Sequence, residues 1–155
     1  MTMKPSRVLA TWFGCGLAPK APGTVGTLGG LLVAVPLVQY CGFLWWHFIL
    51  LTALVTPIAI WAAQKTIDET GNQDPQLVVI DEVLGLWLTL AGAAHFNWQC
   101  FLLAFTLFRI FDITKPFPVR NLEKLHGGSG VIADDLGAGI YAAVVLALAG
   151  WFNLY

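Results

Sequence analysis

The sequence has few charged residues for its length. Only 11% of its 155 residues are charged, 57% are apolar, and the mean hydropathy is +0.73. A soluble domain typically has about 25% charged and roughly 45–50% apolar residues. Because a chain this short keeps much of its surface exposed, the composition argues against a water-soluble domain. It indicates a single membrane-embedded domain over residues 1–155.

Cysteine is scarce as well. Cys15, Cys41 and Cys100 are widely spaced, and no two of them form a CxxC pair. Neither a disulfide framework nor a zinc site is therefore predicted, and we interpret all three as small apolar residues. The N-terminal segment lacks a long apolar core before a small-residue cleavage site, so we expect no removable signal peptide.

Five apolar stretches predict an all-α integral membrane bundle of four to five helices. They cover residues 24–40, 43–63, 77–94, 98–113 and 131–154. The second has no Lys, Arg, Asp or Glu and is long enough to span a bilayer, and Pro57 is expected to kink it without ending it. The first is interrupted by Pro36 and rich in glycine, so a re-entrant segment is the alternative to a span.

If the chain crosses the membrane back and forth, its charged residues all fall on one side of the membrane. Loops 39–42 and 95–98 and the C-terminal tail carry no formal charge, whereas every Lys and Arg falls on the opposite side. By the positive-inside rule that side is cytoplasmic, with the N-terminus inside and the C-terminus outside. All nine acidic residues lie there too, and the rule does not explain them, because acids contribute little to orientation.

Five of these acids interrupt or border the apolar stretches. Asp81 and Glu82 lie in the third stretch, Asp112 closes the fourth, and Asp134 and Asp135 begin the fifth. A carboxylate costs roughly 2.5–3.5 kcal/mol at bilayer mid-depth. Each pair has an ordinary alternative, which is to complement a helix dipole or cap a helix. Asp112 has one too, as an ion-pair partner of Arg109 or Lys115.

Carboxylates that converge at one level repel one another unless a cation lies among them. Magnesium takes oxygen ligands, commonly a few carboxylates together with substrate phosphate. The nearby cations Lys20, Arg109 and Lys115 suit an anionic substrate group. The pattern predicts phosphoryl chemistry on a lipid head group at the membrane surface.

Two glycine-rich segments precede the first and last stretches, at 19–27 and 127–130. Thr24 is predicted to cap the first helix and to leave free N–H groups facing an anion. Ordinary turn chemistry is the alternative explanation for both segments.

Several phosphatase signatures are missing. No cysteine is followed six residues later by arginine, which argues against a phosphocysteine mechanism, and no DxD pair of the usual aspartyl-phosphate motif occurs. The histidines fit a phosphohistidine scheme poorly. We interpret His47 and His95 as interfacial residues and place His126 in a loop.

Four sequence blocks together resemble the phosphatidylglycerophosphatase A family. They are PKAPGTVGT (19–27), VVIDEVLG (78–85), FRIFDITKPFPV (108–119) and GGSGVIADDLGAG (127–139). The resemblance implies an all-helical, magnesium-dependent enzyme of the bacterial inner membrane. It would hydrolyse phosphatidylglycerophosphate to phosphatidylglycerol and phosphate, with a phospholipid substrate and no nucleic-acid partner. Its matching residues are Asp81, Glu82, Asp112, Lys115, Asp134 and Asp135, together with Lys20, Gly23 and Thr24.

These observations give one hypothesis with two rivals. Asp81, Glu82, Asp134 and Asp135 would hold magnesium at the cytoplasmic interface. The catalytic residues would be Asp112, Lys115 and Arg109, and Lys20, Gly23 and Thr24 would bind substrate. A covalent aspartyl-phosphate is an alternative step. The rivals are another metal-dependent head-group enzyme, although the DGxxAR pattern is missing, and a small cation carrier, which should place acids across the whole membrane depth.

Overall fold

The structure is a computed structural model that describes residues 4–155. This part of the chain contains seven α-helices, one 3-10 turn and no strand, so the all-α prediction is confirmed. The helices are α1 (Pro5–Ala10), α2 (Pro22–Cys41), α3 (Trp45–Thr70), α4 (Ile80–Leu90), α5 (Trp98–Thr114), α6 (Val119–Leu122) and α7 (Gly128–Trp151); the 3-10 turn is Cys15–Leu17.

Each of the five apolar stretches forms one long helix, namely α2, α3, α4, α5 or α7. Three of these, α2, α3 and α7, have the length and composition to cross a membrane. Helix α5 has 17 residues and α4 only 11. The all-helical bundle is thus confirmed, but only three of its helices are candidate spans, so the number of four to five membrane helices stays a prediction.

Helix α4 lies at the centre of the bundle. It contacts α2, α3, α5 and α7, and nine of its eleven residues are buried. Beyond Asp81 and Glu82 in its first turn, α4 has apolar residues on all sides, as expected of a helix that other helices surround. At 1.5 Å per residue α4 is about 16 Å long. The third stretch is apolar because it is packed inside the protein.

Glycines allow α4 and α7 to pack closely. A Cβ on Gly139 would lie 2.6 Å from the Gly85 carbonyl oxygen, and a Cβ on Gly92 would lie 2.0 Å from that of Ala143. Both obstacles are backbone atoms, which cannot rotate away. Small residues at such crossings are typical of helices that associate within membranes.

The expectation that Pro36 interrupts the first stretch is wrong. Helix α2 continues through Pro36 to Cys41 and ends at Gly42, which has φ +66°. The lost hydrogen bond is tolerated in apolar helices because neighbouring groups compensate. At 20 residues, α2 has the length of a span rather than of a short re-entrant segment.

The bundle is apolar outside and charged at one end. Leu32, Leu54 and Val144 on three different helices are 76%, 73% and 56% exposed, as expected for lipid-facing side chains. The α2, α4 and α7 helices begin at the charged end, where α3 and α5 finish. The opposite end carries aromatic contacts, including those of Phe48 with Phe96.

Candidate active site

The charged end of the bundle contains a cavity of about 750 Å³. Its walls are the first turns of α2 and α4, the last turn of α5 and the first two turns of α7. Two connecting segments, 73–78 and 123–127, complete it. Because the ends of four helices meet here, residues far apart in sequence face one space.

Three carboxylates form a cluster inside this cavity. Asp81, Glu82 and Asp135 each offer an oxygen that lies within 4.8 Å of the others. Asp81 is 7% exposed and Asp135 only 4% exposed. One buried oxygen of each, Asp81 Oδ1, Glu82 Oε2 and Asp135 Oδ2, has no hydrogen-bond partner. Buried polar atoms are normally paired, so these three require another explanation.

A divalent metal ion fits this donor set. Magnesium prefers carboxylate oxygens, and three carboxylates converge here, each of which has an oxygen without a hydrogen-bond partner. Seven carboxylates line the cavity against three Lys and Arg side chains, and so many negative charges repel one another in a poorly solvated space. The chemistry and the charge balance of the cavity both suit a bound cation.

Helix dipoles do not account for the acids. Asp81 and Glu82 do lie in the first turn of α4, where they complement the dipole. However, the dipole does not require buried oxygens without partners. In α7 the first turn, from Gly128, has no acid, and Asp134 and Asp135 lie in its second turn. The capping alternative therefore fails for this second pair.

Asp134 lies beside the cluster and binds a cation of the chain. Its Oδ2 accepts a hydrogen bond of 2.7 Å from Lys115 Nζ, and Lys115 also pairs with Glu123. Burial alone would lower the pKa of Lys115, but hydrogen bonds and charges of these two carboxylates outweigh it and raise the pKa. Lys115 therefore stays charged through neutral pH.

Arg109 and Asp112 form an ion pair one turn apart on α5. An ion pair with Arg109 or Lys115 was the alternative explanation for Asp112. The structure shows this ion pair with Arg109 and not with Lys115. Both side chains also line the cavity, so the pair borders the space in which a substrate would lie.

The glycine-rich segment before α2 contributes only in part. A Cβ on Gly23 would lie 2.4 Å from Glu82 Oε1 and 3.2 Å from Arg109 Nη1, so Gly23 leaves room for both groups. Lys20 and Thr24 are not among the residues that line the cavity. The cap predicted for Thr24 is wrong, because α2 begins earlier, with Ala21 at its N-cap and no side-chain cap.

A comparison with known families bears on this site. The model of the family described as phosphatidylglycerophosphatase A matches residues 8–150, which include the entire cavity lining. The chain belongs to the phosphatidylglycerophosphatase A family. The resemblance drawn from the four sequence blocks is confirmed, and the chain is placed among enzymes that hydrolyse phosphate esters.

The alignments with three curated relatives cover nearly the whole chain. The phosphatidylglycerophosphatase A of Haemophilus influenzae is 41% identical over 145 residues, which cover 93% of this chain and 88% of the relative. That of Escherichia coli is 36% identical over 148 residues, covering 94% and 84%. A Bacteroides thetaiotaomicron protein provisionally named phosphatidylinositol-3-phosphatase is 40% identical over 148 residues, covering 93% and 92%. No solved structure matches significantly.

The cavity of this family member contains polar residues that sequence reasoning missed. They come from the two connecting segments, which have no apolar pattern to draw attention to them: Gln73, Asp74, Gln76, Glu123, Lys124 and His126. Glu123 could have been found from its position eight residues after Lys115, with which it pairs. His126 directly precedes the glycine-rich start of α7, and that position could have indicated the cavity.

Proposed function

We propose that this chain is a magnesium-dependent phosphatidylglycerophosphatase that produces phosphatidylglycerol in the bacterial inner membrane. One observation carries the proposal. Asp81, Glu82 and Asp135 line a cavity at the charged end of an apolar bundle, and each has one buried oxygen without a hydrogen-bond partner. Membership of the phosphatidylglycerophosphatase A family supplies the substrate class.

The three clustered carboxylates would hold the metal, and Asp134 would border it while orienting Lys115. A bound magnesium ion would polarise the phosphate and lower the pKa of a water molecule. Lys115 and Arg109 would lie against the phosphoryl oxygens and offset their charge. Asp112 is positioned by Arg109 to orient or deprotonate the attacking water.

We further propose that the charged end faces the cytoplasm. The positive-inside bias supports this orientation. All nine acids lie in the cavity, near it or in the last turn of α3. A cation carrier would need acids along the membrane depth, so this distribution favours an enzyme at the interface.

The Bacteroides relative favours a second candidate substrate. Its provisional name describes a phosphatase of a phosphoinositide, which also carries a phosphomonoester on a lipid head group. Selectivity between the two lipids is therefore tested directly. Purified wild-type protein is given each lipid in the same detergent with magnesium, and we expect faster phosphate release from phosphatidylglycerophosphate. Faster release from phosphatidylinositol 3-phosphate would support the second candidate instead.

The assignment of the site is tested with Asp81→Asn and Asp135→Asn. Each should lower phosphate release from phosphatidylglycerophosphate by at least about 100-fold, because each removes a metal ligand. Glu69→Gln is the matched control, since Glu69 pairs with Lys4 away from the cavity and its loss should leave activity unchanged. More than about a tenth of wild-type activity in both Asn variants would contradict the assignment.

A further inference from the structure

The mouth of the cavity lies between two exposed polar segments. One segment, 73–76, contributes Gln73, Asp74 and Gln76, which include an acid but no Lys or Arg. The other segment, 123–127, contributes Glu123, Lys124 and His126, and Glu123 is paired with Lys115. Because Glu123 is already paired, Lys124 makes the side of the second segment the favoured place for an anionic group held at the mouth.

Lys124 differs from the other cations that line the cavity. Arg109 and Lys115 are both held in ion pairs with cavity carboxylates. The ion pairs found within residues 4–155 do not include Lys124. Its ammonium group thus remains available to an anion that is not part of the protein, and a lysine reaches such a group on a flexible stem.

The position of Lys124 is set by its neighbour. Glu123 binds Lys115, which in turn binds Asp134 beside the carboxylate cluster. This chain of contacts holds the segment against the inner site, and Lys124 follows at the exposed rim. The next residue, Leu125, lines the cavity although it is 51% exposed.

An exposed apolar side chain beside a cation suits a lipid at the membrane surface. Phe117, on the same connection between α5 and α7, is 79% exposed and lies in the sequence between the cations Lys115 and Arg120. Apolar and basic side chains mixed in this way are favoured where acyl chains meet phosphate groups. This side of the mouth is where a lipid would enter.

The proposed substrate has two phosphates, and they need different binding sites. The terminal phosphomonoester must reach the buried carboxylate cluster, whereas the phosphodiester stays joined to the diacylglycerol near the mouth. We propose that Lys124 binds this phosphodiester, which makes it a specificity-determining residue. The inference rests on the proposed function, because it takes phosphatidylglycerophosphate as the substrate.

The test compares two substrates in the same detergent micelles. Phosphatidylglycerophosphate has both phosphates, and dodecyl phosphate has only the monoester. Lys124→Gln should raise KM for phosphatidylglycerophosphate about three- to tenfold with kcat nearly unchanged, the loss expected for one charged contact at a partly exposed site. It should leave kcat/KM for dodecyl phosphate within about twofold. Lys124→Arg should restore the wild-type KM.

Arg120→Gln is the matched control, because Arg120 is an exposed cation of the same connection outside the cavity. Equal losses for both substrates, or an equal rise of KM in the control, would overturn the inference. So would an unchanged KM for phosphatidylglycerophosphate in Lys124→Gln. Wild-type protein is measured first: if it releases no phosphate from phosphatidylglycerophosphate, the proposed function itself fails, and this inference fails with it.

Discussion

Neighbouring acids on one helix have different surroundings in this protein. Asp134 accepts a hydrogen bond from Lys115, whereas Asp135 belongs to the cluster with Asp81 and Glu82 and has one oxygen without a hydrogen-bond partner. Adjacent residues on a helix point about 100° apart, so one of the pair faces α4 and the other faces the end of α5. The sequence predicted that these acids converge, but not which of them lacks a partner.

The cluster predicts an unusual response to Asp135→Asn. Without metal, three buried carboxylates repel one another, so removing one charge should raise the melting temperature of the metal-free protein. With magnesium present, wild-type protein should gain stability through binding, and the variant should gain much less. Thermal unfolding in detergent, with and without magnesium, measures both effects.

Glu69→Gln serves as the control, because it removes an acid from an exposed ion pair outside the cavity. It should keep the full magnesium-dependent shift of the melting temperature. An Asp135→Asn variant that magnesium stabilises as strongly as wild-type protein would show that Asp135 does not hold the ion.

Among the helices, the crossing of α4 and α7 determines where the carboxylates meet. Gly139→Ala would place a Cβ 2.6 Å from the Gly85 carbonyl oxygen, and the two helices would have to separate. We expect a destabilisation of about 1–3 kcal/mol, as for other overpacked sites. Activity should fall at least tenfold, since Asp81 and Asp135 lie on these helices. Thermal unfolding and phosphate release measure the two effects.

The same substitution two residues earlier in α7, at Gly137, is a suitable control. A Cβ on Gly137 would lie 2.8 Å from Leu122 Cδ1, the flexible end of a side chain, so Gly137→Ala should be tolerated better. Equal losses of stability in both variants would contradict the account of the crossing.

The helices were largely predictable from sequence, but their lengths were less so. Apolar runs place α2, α5 and α7 within three residues of their observed bounds, whereas α3 continues seven residues beyond the end of its run at residue 63. The third run covers 77–94, yet α4 ends at Leu90, and Gly92 beyond it packs directly against the α7 backbone. Composition alone does not distinguish a central helix from a lipid-facing one. Helices α1 and α6 are too short to show a periodic pattern.

At the scale of the whole molecule, the sequence indicated that the protein lies in a lipid bilayer and that its charges gather at one end of the bundle. The low charge predicted a membrane protein, and alternating stretches predicted that all charges share one end. Tertiary structure was needed to show that the two polar connections, 73–78 and 123–127, enclose the same cavity as the helix ends. Loops of this kind have no period from which their contacts could be inferred.

The orientation of the molecule is tested with a cysteine that the chain already has. Cys41 is exposed at the end of α2, opposite the cavity, whereas Cys100 is buried. In a Cys15→Ser variant, a membrane-impermeant thiol reagent should label Cys41 in intact spheroplasts. Cys41→Ser is the control that should abolish labelling. Labelling that requires permeabilised membranes would place this end in the cytoplasm and contradict the proposed orientation.

We propose that the protein hydrolyses the terminal phosphate of phosphatidylglycerophosphate with the help of a metal ion held by the carboxylate cluster. The most direct measurement is phosphate release from this lipid by the purified protein in detergent, with magnesium and with excess chelator. We expect phosphate release with magnesium, a decrease in this release of at least about 100-fold with chelator, and recovery when magnesium is restored. Release that continues undiminished in chelator, or no release from folded protein under either condition, would contradict it.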